Sequence, residues 1–153
     1  MALAVAAVVT GAADDAEIVC DARREQLATL LAFVDQACAR AGLDRDTAFD
    51  VRLATEEVVT NVIEHGYKGM PAGPITLRFH REPAQVVVTV EDLARPFDPA
   101  LVPRADTAVP IEQRPTGGLG WHLVNQVMDE VRHEPRIPHG NRLTLVKRIL
   151  TTH

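Results

Sequence analysis

The chain contains no serine, so no Ser/His/Asp nucleophile grouping can be assembled from it. Only two cysteines occur, Cys20 and Cys38, and they form no CxxC pair. That excludes a disulfide framework and a cysteine zinc site, and leaves two reduced, buried thiols as the expectation. Basic residues are in deficit: 16 Lys and Arg stand against 21 Asp and Glu, for a formal net charge of -5, with the signs mixed along the chain. A nucleic-acid binder needs a basic face for phosphate contacts, so that class is disfavoured. No stretch reaches the roughly 20 apolar residues that a membrane span requires. No GxxxxGK[ST] loop is present, and the six histidines show no metal-ligand spacing between neighbours.

What is present fits a cytoplasmic globular domain: hydrophobic residues make up 46% and charged residues 24% of 153 positions. The apolar start, Met1 to Thr10, lacks a basic leader region and is followed closely by Asp14, Asp15 and Glu17. Residues 1–15 are therefore expected to be an edge strand or a loose leader, with the domain proper at 16–150.

Periodicity predicts a first helix over Asp21 to Gly42, with Leu27, Leu30, Leu31, Val34, Cys38 and Ala41 on one face. Asp21 is its expected N-cap and Gly42 its stop. A second helix is expected from about Thr47 to His65, entered through Asp44 or Asp46 and ended at Gly66. Two alternating runs follow, one with Ile75, Leu77 and Phe79 on a single face and one over Val86–Val90. From Asp98 to Thr116 the pattern fails, with four prolines and no period, as in a functional loop. The glycine-rich run Gly117-Gly118-Leu119-Gly120 then opens a third helix, and strands over Glu130–Glu134 and Arg142–Ile149 finish the chain. Strands grouped apart from helices predict an α+β sandwich with helices on one face.

The second helix carries a chemical signal. Phe49, Leu53, Glu57 and Asn61 are spaced by four and so form one line. The first two are expected in the core, yet the line continues as a carboxylate and an amide, which are costly to bury without partners. A helix that merely rotates outward near its end would explain this. The functional explanation is an Asn61 amide oxygen as a hard ligand for Mg²⁺, with the Glu57 carboxylate one turn earlier placed to take a proton from an attacking hydroxyl. Phosphoryl transfer asks for little beyond metal, positioning and such a base.

Three segments in order make the chain recognisable. Glu57-Val-Val-Thr-Asn61-Val-Ile-Glu-His65-Gly66-Tyr67 resembles the N-box of the anti-sigma factor serine kinases, small relatives of the histidine-kinase ATPase domain (the GHKL group). Val90-Glu-Asp92-Leu-Ala-Arg-Pro96-Phe97-Asp98-Pro99 resembles their adenine-binding box, written D-x-G-x-P-F-D-P. Thr116-Gly-Gly-Leu-Gly-Trp-His-Leu-Val124 resembles their second glycine box. The likeness runs from about Ala16 to Arg148.

The resemblance implies a histidine-kinase-like (Bergerat) fold, with a mixed, mostly antiparallel sheet covered on one face by helices. It implies ATP and Mg²⁺ as cofactors, Glu57 as general base and Asn61 as the metal ligand. Asp92 would accept from the adenine amino group. Gly118 and Gly120 would bring backbone N–H groups to the phosphates at a helix N-terminus, an anion site on physical grounds as well. His65, Ala94, Phe97, Gly117, Leu119, Trp121 and His122 would complete the nucleotide site, and residues 98–116 would be its lid. For His65 a helix-end role suited to the dipole competes with that assignment. Trp121 is equally expected to pack.

The implied partners are a sigma factor, held inactive, and a STAS-domain antagonist phosphorylated on serine or threonine, with the kinase a homodimer touching neither nucleic acid nor membrane. Lacking serine, the chain could not modify itself on that residue. Two departures from the pattern stand out. Ala94 occupies the place of the box glycine, and Asn141-Arg142 stands where relatives often place a threonine, with Thr144 two residues later. The Ala94 departure leaves open a partner-binding module of the same fold without nucleotide, acting in another stress or secretion pathway.

Overall fold

The computed structural model describes residues 6–8, 15–96, 116–136 and 139–149. Strands β1 (Ala6–Val8), β2 (Asp15–Asp21), β3 (Pro74–Arg81), β4 (Gln85–Asp92), β5 (Glu130–Pro135) and β6 (Asn141–Arg148) form one sheet in the order β1-β2-β3-β4-β6-β5. Helices α1 (Leu27–Arg40), α2 (Arg45–Asn61) and α3 (Thr116–Val127) pack against it and one another. This is the expected α+β sandwich. Where the resemblance allowed a mixed sheet, every strand pairing among the described residues is antiparallel.

The alternation in the strands decides which face is core. Ile18, Leu77, Val90 and Leu143 lie in one row across β2, β3, β4 and β6, and Phe79, Val88 and Leu145 lie in the next. All seven are buried, against Leu30, Val34, Val51, Val58, Val59 and Val124 from the helices. Burial of such apolar rows at ~25 cal/mol per Å² is the main driving force for this arrangement. The opposite face is polar. There Glu91 is buried at 6% exposure and takes three guanidiniums: Arg78, Arg136 at 2.5 Å and Arg142 at 3.4 Å. A carboxylate so buried is tolerated only with such partners, and the clamp ties β3, β4, β6 and the turn after β5 together.

Two helix boundaries follow different rules from those expected. Asp21 is no N-cap: it ends β2, paired with Pro74, and a 3₁₀ turn (Arg24–Gln26) leads into α1 at Leu27. Here strand pairing captured a residue whose side chain suits a cap. Gly42 does stop α1, with φ +71. Asp44 caps α2 as expected, accepting from Thr47 N–H at 2.9 Å. At its other end α2 widens into a π-helical turn, Val62–Gly66, a local irregularity common at functional sites. Lys147 fastens α2 to α3, its ammonium reaching Asp50 at 2.9 Å and the carbonyl of Val127 at 2.6 Å. Cys20 and Cys38 are free and buried.

Candidate nucleotide site

Helix α2 lies on the core face against β4 and α3, and the π turn at its C-terminal end reaches Ala94 just past the end of β4. The line of four-spaced residues on α2 is not a core line. Phe49 is 63% exposed and Leu53 half-buried, while Val51, Ala54, Thr55, Val58 and Val59 supply the buried stripe. The expectation that Phe49 belongs to the core is overturned because the buried stripe runs one step round the helix from it. Glu57 and Asn61 are half-buried on the margin of that stripe. Burial first, then the neighbouring Glu56 and Glu64, push the Glu57 carboxyl above the ordinary range.

Asp92 is the last residue of β4 and is 5% exposed on the helix-facing side. Its Oδ1 accepts two hydrogen bonds, from Ala94 N–H at 2.9 Å and from the Asn141 side-chain amide at 3.0 Å. The other oxygen, Oδ2, takes no hydrogen bond from the described residues. Burial raises the Asp92 pKa, and the Asn141 amide, the Ala94 N–H and the nearby His133 work against that rise.

Asn141 is buried and opens β6 directly opposite Asp92. It also donates to the Arg95 carbonyl at 2.9 Å and lies 2.8 Å from His133 Nε2. Ala94 is fully buried, and a Cβ built on Gly66 would lie 3.5 Å from its methyl. None of the described non-glycine residues has a positive φ, so alanine at 94 suffers no left-handed strain.

Tyr67 closes this corner. Its hydroxyl accepts from Leu93 N–H at 2.8 Å and donates to the Pro74 carbonyl at 2.7 Å, while its ring leaves no room for a side chain at Gly73. Gly140 has φ +119, and a Cβ there would be 2.4 Å from the Asp92 carbonyl oxygen.

The expected site residues thus divide. Asp92 and Ala94 are joined directly, and Ala94 neighbours the π turn that follows Asn61. His65 is exposed within that turn, 4.0 Å from Glu64, in the helix-end position. Gly117, Gly118, Leu119 and Gly120 lie in the first turns of α3. Trp121 is half-buried against the core and His122 is exposed. Phe97 and positions 98–115 of the expected lid lie outside the described residues. Among the described residues no group of three or more His, Cys, Asp or Glu could hold a metal by itself.

Tyr67 closes the N-box and Gly140 lies in the turn between the last two strands, but no sequence signal marks the contacts of either with the end of β4, or that of His133 with Asn141. In sequence Asn141 stands out only by its turn position and by standing where relatives often place a threonine.

The sequence profile of the histidine kinase-like ATPase domain matches residues 20–147. A Listeria innocua protein named Serine-protein kinase RsbW is 32% identical over 100 residues, covering 61% of this chain and 62% of that protein. The Bacillus licheniformis protein of the same name is 29% identical over 126 residues, covering 79% and 78%. The alignment thus spans just under two thirds of the Listeria relative's own length. The solved RsbU and RsbW domains of Rv1364c from Mycobacterium tuberculosis superpose with a TM-score of 0.64 at 21% identity, over 90% of this chain and 33% of that one. That likeness concerns the fold. With the fold, the buried Asp92 and a profile match over most of its length, the chain belongs to the histidine kinase-like ATPase domain family, where its relatives include the RsbW serine-protein kinases.

Proposed function

We propose that this chain is an ATP-dependent serine/threonine protein kinase and anti-sigma factor. It would hold a sigma factor inactive and phosphorylate a STAS-domain antagonist in a partner-switching circuit in the cytoplasm, acting as a homodimer. The observation that carries the reading is Asp92: a buried carboxylate with one oxygen clamped and the other left for a donor such as the adenine amino group. The relatives' name, Serine-protein kinase, supports the activity.

In this reading Glu57 accepts the proton of the substrate hydroxyl as its oxygen bonds to the γ-phosphorus and the bond to ADP breaks. A carboxyl with a raised pKa is the stronger base, which suits that task. Asn61 would hold Mg²⁺, which would neutralise charge on the phosphates. Gly117 to Gly120 at the start of α3 offer backbone N–H groups to the same anion. A module that works without nucleotide draws on Ala94 alone, and a backbone free of left-handed strain there weakens it.

The test is a Mg²⁺-ATP titration followed by the fluorescence of Trp121, with GTP as control, then transfer of labelled phosphate to a STAS-domain protein. Saturable binding that prefers ATP, followed by transfer, supports the kinase. No binding by calorimetry removes it.

A further inference from the structure

The Asp92 carboxylate is held both locally, by Ala94 N–H, and from the neighbouring strand β6, by the Asn141 side chain. Both of the Asn141 amide hydrogens are committed, one to Asp92 Oδ1 at 3.0 Å and one to the Arg95 carbonyl at 2.9 Å. Its Oδ1 must therefore accept, which assigns the proton of the contact at 2.8 Å to His133 Nε2. A directed chain results, from His133 to Asn141 to Asp92, running from β5 through β6 to β4. Each link is buried or half-buried. Every rotation of the Asn141 amide breaks at least two of these bonds, so its orientation is unique.

A carboxylate on two rotatable bonds can otherwise turn either oxygen, or neither, toward a ligand. With Oδ1 occupied by Asn141 and by Ala94 N–H, only Oδ2 remains to accept. A guanine would present a carbonyl oxygen at the position of the adenine amino group, and two acceptors facing one another across a buried contact repel.

We propose that Asn141, itself oriented by His133, is the positioning residue for nucleotide choice: it clamps one oxygen of Asp92 and so aims the other at the exocyclic amino group of adenine. This rests on the nucleotide-binding reading above. Asn141 acts through Asp92 and not by touching the base.

Two variants test it, Asn141→Ala and Asn141→Leu, the second keeping roughly the side-chain volume without the amide. Circular dichroism and thermal melting establish that each is folded. Calorimetry with Mg²⁺-ATP and Mg²⁺-GTP then gives the preference. Carbon-13 NMR of the Asp92 carboxyl in the nucleotide-free protein gives its titration. The Asp92 titration should move to higher pH in both, because a donor that favours the charged form is gone. The ATP-over-GTP ratio should fall about tenfold, the change expected from one ordinary hydrogen bond. Binding of inorganic tripolyphosphate, which has no base, should be unchanged.

Folded variants that keep the wild-type ATP-over-GTP ratio would overturn the positioning role. An equal loss for ATP, GTP and tripolyphosphate would also overturn it, by revealing a general structural defect. A wild-type protein that bound no nucleotide, while the Asp92 titration still moved in the variants, would remove the kinase reading and the selectivity role with it. Only the first two outcomes are specific to Asn141.

Discussion

The Tyr67 hydroxyl accepts the backbone N–H of Leu93 at 2.8 Å and so ties the turn after α2 to the strand end that carries Asp92. The same hydroxyl donates to the Pro74 carbonyl, so one phenol joins the turn after α2, the start of β3 and the end of β4. Tyr67→Phe removes both bonds and leaves a part-buried N–H without its acceptor. A loss of about 1–3 kcal/mol of stability is expected. Denaturant unfolding measures it, and a midpoint unchanged from wild type would show that water replaces the hydroxyl.

Glu57→Ala should lower phosphoryl transfer by about 10²–10⁴-fold while ATP binding largely survives, because a general base contributes roughly that much. Retained transfer in a folded variant removes Glu57 from the chemistry.

The raised Glu57 pKa predicts two opposite trends with pH. Transfer needs the ionised carboxylate, so the acid limb of kcat/KM should lie above the pH of an ordinary glutamate and rise to a plateau. Stability runs the other way. A group whose folded pKa is raised contributes stability below its unfolded pKa, and that contribution is lost as pH rises through the folded one. Glu57→Gln should therefore melt higher than wild type at neutral pH while losing transfer, and a lower melting point would contradict the burial argument.

At Gly140 the backbone has φ +119, and any Cβ would meet the Asp92 carbonyl at 2.4 Å. Gly140→Ala should cost at least about 1–3 kcal/mol from the conformation alone. It should also weaken ATP binding, since the strand end must shift to admit the methyl. Thermal melting and calorimetry read the two effects separately.

Burial pushes the Cys38 thiol up to about 12 and raises that of Cys20. Both should react with a thiol reagent only as the fold opens, at rates that converge on those of the unfolded chain in denaturant. Prompt labelling of either in the native protein would contradict their placement.

Much of this architecture could be read from periodicity. The alternating Ile75, Leu77 and Phe79 and the cap at Asp44 were legible because each depends on neighbours within a few positions. Phe49 was misread because spacing by four defines a line without saying which line faces the sheet. Asp21 was misread because a cap and a strand end use the same residue type. The box residues were legible as motifs, yet the orientation of Asp92 was not.

By itself the sequence determined the three helices and the strands from Ile75 onward, though not β2 over Asp15–Asp21, together with a carboxylate, an amide and a glycine run in family order. Those are local patterns, written in spacing and residue type. Only the tertiary structure decided that Asn141, 49 positions beyond Asp92, would clamp its carboxylate, and that Tyr67 and Gly140 would press against the same turn. Strand register is the physical reason. Pairing β6 antiparallel to β4 sets Asn141 opposite Asp92, and a slip of one residue would turn its side chain to the other face of the sheet.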